Sequence, residues 1–290
     1  MTKVLILGST GLLGQAMTSL LREREYVVIG AARKNAEVEL DITDETALLK
    51  TLSDINPDIV VNSAALVGVD ICEKNPLLSW QINARPLSFI ASWSRENERP
   101  FLHISTDQYF VDGDNEPHDE QTSVTILNEY ARTKFVGEMF SLTAPQALVL
   151  RTSIVGLRNW EQPTFAEWVI DVVENDKPVT LFSDAYTSSI DVATFARASI
   201  DLLNNGGRGL YNLAAREVYS KEDFVREMAA QLGCPLSHAS VGSVASLETM
   251  RAHCLGLEVG RATHLLTYEL PTLREVVSAI LTERSNGIVT

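Results

Sequence analysis

The run Tyr130-Ala131-Arg132-Thr133-Lys134 sets a phenol and an ammonium four residues apart. On a helix that spacing puts both on one face. An ammonium beside a phenol favours the phenolate, lowering a pKa that is ~10 when unperturbed. A phenol tuned in this way can act as a general acid toward a carbonyl oxygen. A lone Tyr/Lys pair is more often an ordinary helix-surface pair. Here it follows Ser105-Thr106-Asp107, which closes an apolar run and offers a hydroxyl to the same oxygen. Thr106, Tyr130 and Lys134 are therefore the candidate catalytic residues, for general acid chemistry at a carbonyl oxygen.

The N-terminus carries a turn suited to a dinucleotide cofactor. Gly8-Ser9-Thr10-Gly11-Leu12-Leu13-Gly14 has GxxGxxG spacing directly after the apolar run Val4–Leu7. Glycines at such a turn permit positive φ and let backbone N–H groups approach a pyrophosphate, and the following helix start adds its dipole. Gly8, Thr10, Gly11, Leu12, Leu13 and Gly14 are the expected phosphate contacts. An acid at the end of the second strand would bond the ribose hydroxyls and select NAD. Val27-Val28-Ile29-Gly30-Ala31-Ala32 ends instead in Arg33-Lys34. A guanidinium there can hold a 2′-phosphate, which favours NADP(H) over the alternative NAD(H). A solvated basic turn is the bland reading.

These groups need a frame, and the hydrophobic pattern supplies one. Strands are expected at 4–7, 26–31, 38–40, 58–62, 101–105 and 147–151, with helices at 12–24, 43–53, 77–97 and 127–142. Val, Ile and Leu without alternation indicate strands covered on both faces. Their alternation with helices predicts an α/β fold, a Rossmann-type doubly wound parallel sheet. Beyond Arg151 the rhythm changes, with helices at 164–173, 191–203 and 224–232 and a last one from Pro271. The expected division is a cofactor-binding domain at 1–155, with return segments near 190–205 and 270–284. A smaller C-terminal α/β substrate lobe takes 156–270.

Composition narrows the function classes. With 45% apolar and 21% charged residues in 290, the chain can bury a large core, which argues against disorder or coiled coil. It has 24 Lys plus Arg against 38 Asp plus Glu, a formal charge of -14, so nucleic acid is not an expected partner. Cys72, Cys234 and Cys254 have no zinc-ligand spacing and read as reduced thiols. No apolar run reaches the ~20 residues of a membrane span, and Val4–Leu7 runs into the glycine turn without a signal-peptide cleavage pattern. The expected setting is cytoplasmic, without a membrane partner, and a homodimer is an open expectation.

Together, GxxGxxG, the hydroxyl residue and YxxxK make the chain resemble the extended short-chain dehydrogenase/reductase family. Within that family it is most similar to dTDP-4-dehydrorhamnose reductase and its relatives. The supporting pieces are Asp41-Ile42-Thr43-Asp44, Asn62-Ser63-Ala64-Ala65, Val69-Asp70 with Glu73 and Pro76, Ile82-Asn83-Ala84, Ser105–Phe110, Leu127-Asn128-Glu129-Tyr130 with Lys134, Gly137 and Glu138, and Arg151-Thr152-Ser153. The resemblance implies NADPH-dependent reduction of a 4-keto-6-deoxy nucleotide sugar. It implies that Asp41 and Ile42 border the adenine and that Ala64 and Ala65 line the cofactor groove. Lys134 would bond the nicotinamide ribose and depress the Tyr130 pKa. Val69 and Asp70 would lie near the sugar. Asp41 starting a helix, and Ala64 and Ala65 serving packing alone, remain open beside these roles. Asn83 is either a proton-relay residue or a capping and packing one.

The sequence departs from the subgroup on the substrate side. Gln108 replaces an aromatic and Ile154 a tryptophan, and both are expected near the substrate. Arg251-Ala252 stands in place of Arg-Pro. Gln15 and Ala16 occupy the place of a glutamate that binds magnesium in some members, so no metal site is expected. Two other functions stay open. One is an epimerase or dehydratase of the same fold, although a dehydratase's extra acid is replaced by Gln108. The other is a non-catalytic, NADP-binding regulatory subunit.

Overall fold

Val4, Leu5, Ile6 and Leu7 have no solvent exposure at all, as expected of a strand with both faces covered. In the computed structural model, which describes residues 1–110, 116–158, 160, 162–246 and 252–287, they lie in β1 (Lys3–Leu7). The chain continues through α1 (Leu12–Glu23), β2 (Val27–Ala32), β3 (Val38–Glu39), α2 (Glu45–Ile55), β4 (Ile59–Asn62), α3 (Val69–Lys74), α4 (Pro76–Asn83), α5 (Arg85–Asn97), β5 (Phe101–Ile104), α6 (Glu129–Ser141) and β6 (Ala147–Arg151). It then runs through β7 (Ile154–Val155), α7 (Phe165–Glu174), β8 (Val179–Phe182), β9 (Tyr186–Thr187), β10 (Ile190–Asp191), α8 (Val192–Asn204), β11 (Gly209–Asn212), β12 (Tyr219–Ser220), α9 (Lys221–Leu232), β13 (Ala239–Gly242), α10 (Gly260–Leu266) and α11 (Leu273–Ser285).

Seven strands form one sheet in the order β11-β6-β5-β4-β1-β2-β3. Every ladder from β3 to β6 is parallel. The order reverses beside β1, so the crevice at the carboxyl ends of β1 and β4 is where such a sheet receives ligands. The fold is the expected Rossmann-type α/β arrangement. Among the described residues no helix is long and apolar enough to cross a membrane.

One expected helix is not continuous. Residues 77–97 divide into α4 and α5 at Ala84 (φ -119°, ψ -63°), with Pro86 in the first turn of α5. Proline lacks the N–H that a through-going helix would need and crowds the preceding turn. A further helix, α3, precedes them and was not expected.

The chain forms two compact units. The first comprises Met1–Tyr109, Ile126–Arg151 and Ala196–Tyr211; the second takes the described parts of Phe110–Thr125, Thr152–Phe195 and Asn212–Thr290. The first return segment thus begins at Ala196, near the expected 190–205. The second differs from expectation: α11 belongs to the second unit, where Val276, Val277 and Ile280 are fully buried with Val169 and Val173 of α7 and Phe224 and Met228 of α9. Phe110–Thr125 also joins that unit, because the His118 backbone bonds both Gly256 (N···O 2.9 Å) and Glu258 (2.9 Å). The core of the first unit gathers Leu5 and Leu7 of β1 with Leu48 and Leu52 of α2 and Leu87, Ile90 and Ala91 of α5.

Candidate active site

The turn after β1 is shaped by backbone contacts. Gly8 has φ +83°, and a Cβ there would stand 2.7 Å from the Ala64 nitrogen. A Cβ on Gly14 would stand 2.1 Å from the Gly8 carbonyl oxygen, so this helical turn closes directly on the phosphate turn. Gly11 caps α1 without a side-chain bond to the helix. The helix start therefore keeps N–H groups for an anion. Gln15 donates to the Thr10 carbonyl at 2.7 Å and braces the turn from within α1. This cradle, tight in backbone and free of a side-chain cap, fits the diphosphate of a dinucleotide. Leu12 is half-buried and Leu13 buried.

Arg33 and Lys34 follow β2 directly and are exposed. Asp41 is exposed and accepts bonds from the Thr43 amide (2.9 Å) and hydroxyl (2.8 Å), while Asp44 caps α2. Asp41 thus shapes the turn into that helix. Ile42 is buried in the core of the unit. Ala64 and Ala65 are half-buried directly after Ser63, whose hydroxyl bonds the Leu7 carbonyl at 2.9 Å.

The three expected catalytic residues lie within the first unit. Asn128 caps α6 through the Ala131 amide (2.8 Å), fixing Tyr130 in the first turn. Thr106 is buried just beyond β5, and its hydroxyl acts on the Tyr130 phenol, favouring the phenolate. Lys134, also buried, donates to the Ile104 carbonyl at 2.6 Å. Tyr130 and Lys134 share the face of α6 turned to the end of β5.

The electrostatics correct one expectation. Tyr130 is not depressed: burial pushes its pKa up to about 12, and the Asp107 carboxylate adds to this against the lowering effect of the Thr106 hydroxyl. Lys134 itself is brought down to about 8 by burial, opposed by Glu138 on its own helix. Desolvation outweighs the ammonium here, because the Lys134 charge is directed to a backbone carbonyl. The phenol is consequently a proton donor throughout the neutral range. Beneath it His103 is fully buried and held well below its usual pKa, first by desolvation and then by Lys134, so it is neutral.

Val69 and Asp70 open α3, half-buried and exposed respectively. That helix is joined to α6 by Glu73, which accepts from the Glu129 amide at 2.7 Å. Gln108 is half-buried and donates to Asp107 at 3.0 Å. Ile154 lies in β7 of the second unit, and Arg251 lies outside the described residues. Asn83 uses its amide on the backbone of Leu66, accepting from its N–H (2.8 Å) and donating to its carbonyl (3.0 Å), which holds the segment that follows Ala65. Sequence reasoning assigned no role to Glu138 and Arg151, a buried ion pair at 2.7 Å beside Ser105. The signals were the run of Gly137 and Glu138 after Lys134 and Arg151-Thr152-Ser153 after the next strand.

A parallel sheet of this order, with a glycine turn after its first strand and a Thr–Tyr–Lys group at the end of β5, defines an extended short-chain dehydrogenase/reductase fold. Residues 1–284 match the model of the RmlD substrate binding domain, and the chain belongs to that family. It is 28% identical over 288 residues to the probable low-salt glycan biosynthesis reductase Agl14 of Haloferax volcanii, covering 95% of this chain and 96% of that protein. It is also 28% identical to methionine adenosyltransferase 2 subunit beta of Danio rerio, over 89% of this chain and 86% of that one. Among solved structures, dTDP-4-dehydrorhamnose reductase of Bacillus anthracis in complex with NADP superposes with a TM-score of 0.87, covering 98% of this chain and 100% of that one at 22% identity.

Proposed function

We propose that this chain is a cytoplasmic, NADPH-dependent reductase of a 4-keto-6-deoxy nucleotide sugar. The observation that carries the reading is the Lys134 ammonium on the Ile104 carbonyl at the end of β5, one helical turn from the Tyr130 phenol, with the Thr106 hydroxyl of the next turn acting on that phenol. Family membership and the reductase names among the relatives support it.

When bound, NADPH supplies the hydride. The backbone turn from Gly8 to Gly14 would hold its diphosphate, and Arg33, assisted by Lys34, would neutralise the 2′-phosphate. Asp41 and Ile42 would border the adenine, and Ala64 and Ala65 the groove beside it. Lys134 would bond the nicotinamide ribose. As charge develops on the ketone oxygen, Thr106 donates a hydrogen bond and Tyr130 gives the proton. Val69, Asp70 and Gln108 would set the sugar's place.

The test is loss of NADPH absorbance with a panel of 4-keto-6-deoxy nucleotide sugars. General acid catalysis contributes about 10²–10⁴-fold. Tyr130→Phe removes the proton donor and keeps the ring, so it should cut kcat by about that factor with NADPH affinity nearly unchanged. Parental turnover by the Tyr130→Phe protein would remove the tyrosine from the mechanism.

The similarity to methionine adenosyltransferase 2 subunit beta favours a second reading, a regulatory subunit that binds NADP without turnover. A chain that binds NADPH yet leaves every sugar of the panel unreduced would favour that reading.

A further inference from the structure

Glu138 is a carboxylate with no solvent exposure, two helical turns beyond Tyr130 and one beyond Lys134. It accepts the Ser105 hydroxyl at 2.8 Å and two guanidinium nitrogens of Arg151, at 2.7 and 3.1 Å. Ser105 in turn shares a 2.9 Å bond with the phenol of Tyr109, itself fully buried, and the Arg151 guanidinium lies over the Tyr109 ring, 5.1 Å from its centre. Ion pairs removed from water gain little net stability over apolar residues of equal volume; what they can supply is a fixed arrangement.

The arrangement converges on one short segment. Lys134 grips the carbonyl of Ile104, Glu138 the hydroxyl of Ser105, and Tyr109 returns to Ser105 from the far end of the turn. Thr106 stands between these anchors. We propose that Glu138, with Arg151 as its buried counterion, is a positioning residue that ties the Ser105–Tyr109 turn to α6 and so holds the Thr106 hydroxyl against Tyr130. The geometry of this tie rests on no ligand; its value for catalysis rests on the reductase reading above.

The same carboxylate faces Lys134 along α6. The neutral His103 of β5 also faces that ammonium, the Tyr130 phenol lies one turn earlier on α6, and Arg151 of β6 is the counterion of Glu138. Asp107, in the turn, acts on the phenol. Removing the Glu138 charge deletes the attraction that opposes desolvation, which disfavours the protonated lysine.

Two variants test the proposal in the ligand-free protein. Ser105→Ala cuts the tie and keeps the ion pair; Glu138→Gln removes the charge. Thermal melting monitors folding, the methyl order parameter of Thr106 is read by NMR on threonine-labelled protein, and Lys134 is titrated on lysine-labelled protein. Ser105→Ala should melt close to the parent, leave the Lys134 midpoint in place and make the Thr106 methyl more mobile. Glu138→Gln should lower the Lys134 midpoint by about one pH unit and loosen Thr106 as well. A Thr106 methyl as ordered in Ser105→Ala as in the parent overturns the proposal, and so does a folded Glu138→Gln protein with the parental Lys134 midpoint. If Glu138→Gln does not fold, Ser105→Ala decides alone. Where the parent reduces a 4-keto sugar, Ser105→Ala should lose about tenfold in kcat with unchanged NADPH affinity. A parent that reduces none ends the reductase reading, while the methyl order of Thr106 still decides whether Glu138 positions the turn.

Discussion

Tyr130 and Lys134 divide between them what a reductase of this design asks of ionisable groups. With its pKa near 12, Tyr130 keeps its proton across the working range. Of the two, the group that titrates nearer neutrality is Lys134, at about 8. Its ammonium is complete below that pH and is lost as pH rises through it. On the proposed assignment, NADPH binding should weaken above about pH 8, and Lys134→Met should remove that pH dependence; fluorescence titrations from pH 6 to 10 read both. Arg33 offers a second test at this scale. Its guanidinium is exposed at the end of β2, and a charge-assisted bond to a 2′-phosphate is worth about 1.5–3 kcal/mol. Arg33→Ala should weaken NADPH binding about tenfold or more and barely change NADH. Equal losses for both cofactors would contradict the assignment.

Among the elements, the β1–α1 junction is the most constrained. Glycine at position 14 allows α1 to begin in contact with the turn it follows, since a Cβ would meet the Gly8 carbonyl oxygen at 2.1 Å and the Ser9 Cα at 2.7 Å. Both obstacles are backbone, which cannot rotate away as a side chain would. Gly14→Ala should cost about 1–3 kcal/mol, the usual range for overpacking, visible as a lower melting temperature, and should abolish NADPH binding because the turn itself must shift. Helix α6 is set by its cap. Asn128→Ala removes the bond to Ala131 and should cost about 1 kcal/mol. That loss falls in the turn that carries Tyr130, so kcat should suffer alongside stability.

For the whole molecule, the lowered Lys134 value has a consequence for stability. The ordinary lysine value is 10.5 and the folded one about 8. Below pH 8 the lysine is charged in both states, and burial of the charge is a full penalty. Between about 8 and 10.5 the unfolded chain binds more protons than the folded one, so this group's contribution to stability rises with pH. The ceiling is about 3 kcal/mol at 1.36 kcal/mol per unit. Lys134→Met should therefore raise the melting temperature most at pH 7, with the advantage fading toward pH 10. A difference between variant and parent that does not change with pH would mean the lysine is not titrating as described. The two units each carry a core of their own, one around the parallel sheet and one around α7, α9 and α11.

Much of the first unit was legible in the residues alone. Apolar runs without alternation marked β1, β4, β5 and β6, and the GxxGxxG and YxxxK spacings placed the turn and the Tyr130–Lys134 face, because these patterns repeat with the period of the local backbone. The break at Ala84 was also written locally, in Pro86, although the apolar pattern of 77–97 masked it. Other properties depend on partners far away in the chain. The pairing of His118 with the backbone at Gly256 and Glu258 decided where Phe110–Thr125 belongs, and the apolar face of α11 could have been covered by either core. The Tyr130 pKa depended on how deeply the phenol is desolvated and on where Lys134 directs its charge, neither of which follows from a spacing of four. Likewise Glu138 and Arg151 look like any other charged residues in the sequence. Only the packing of α6 against β5 and β6 removes them from water, and in that environment a carboxylate and a guanidinium must find each other.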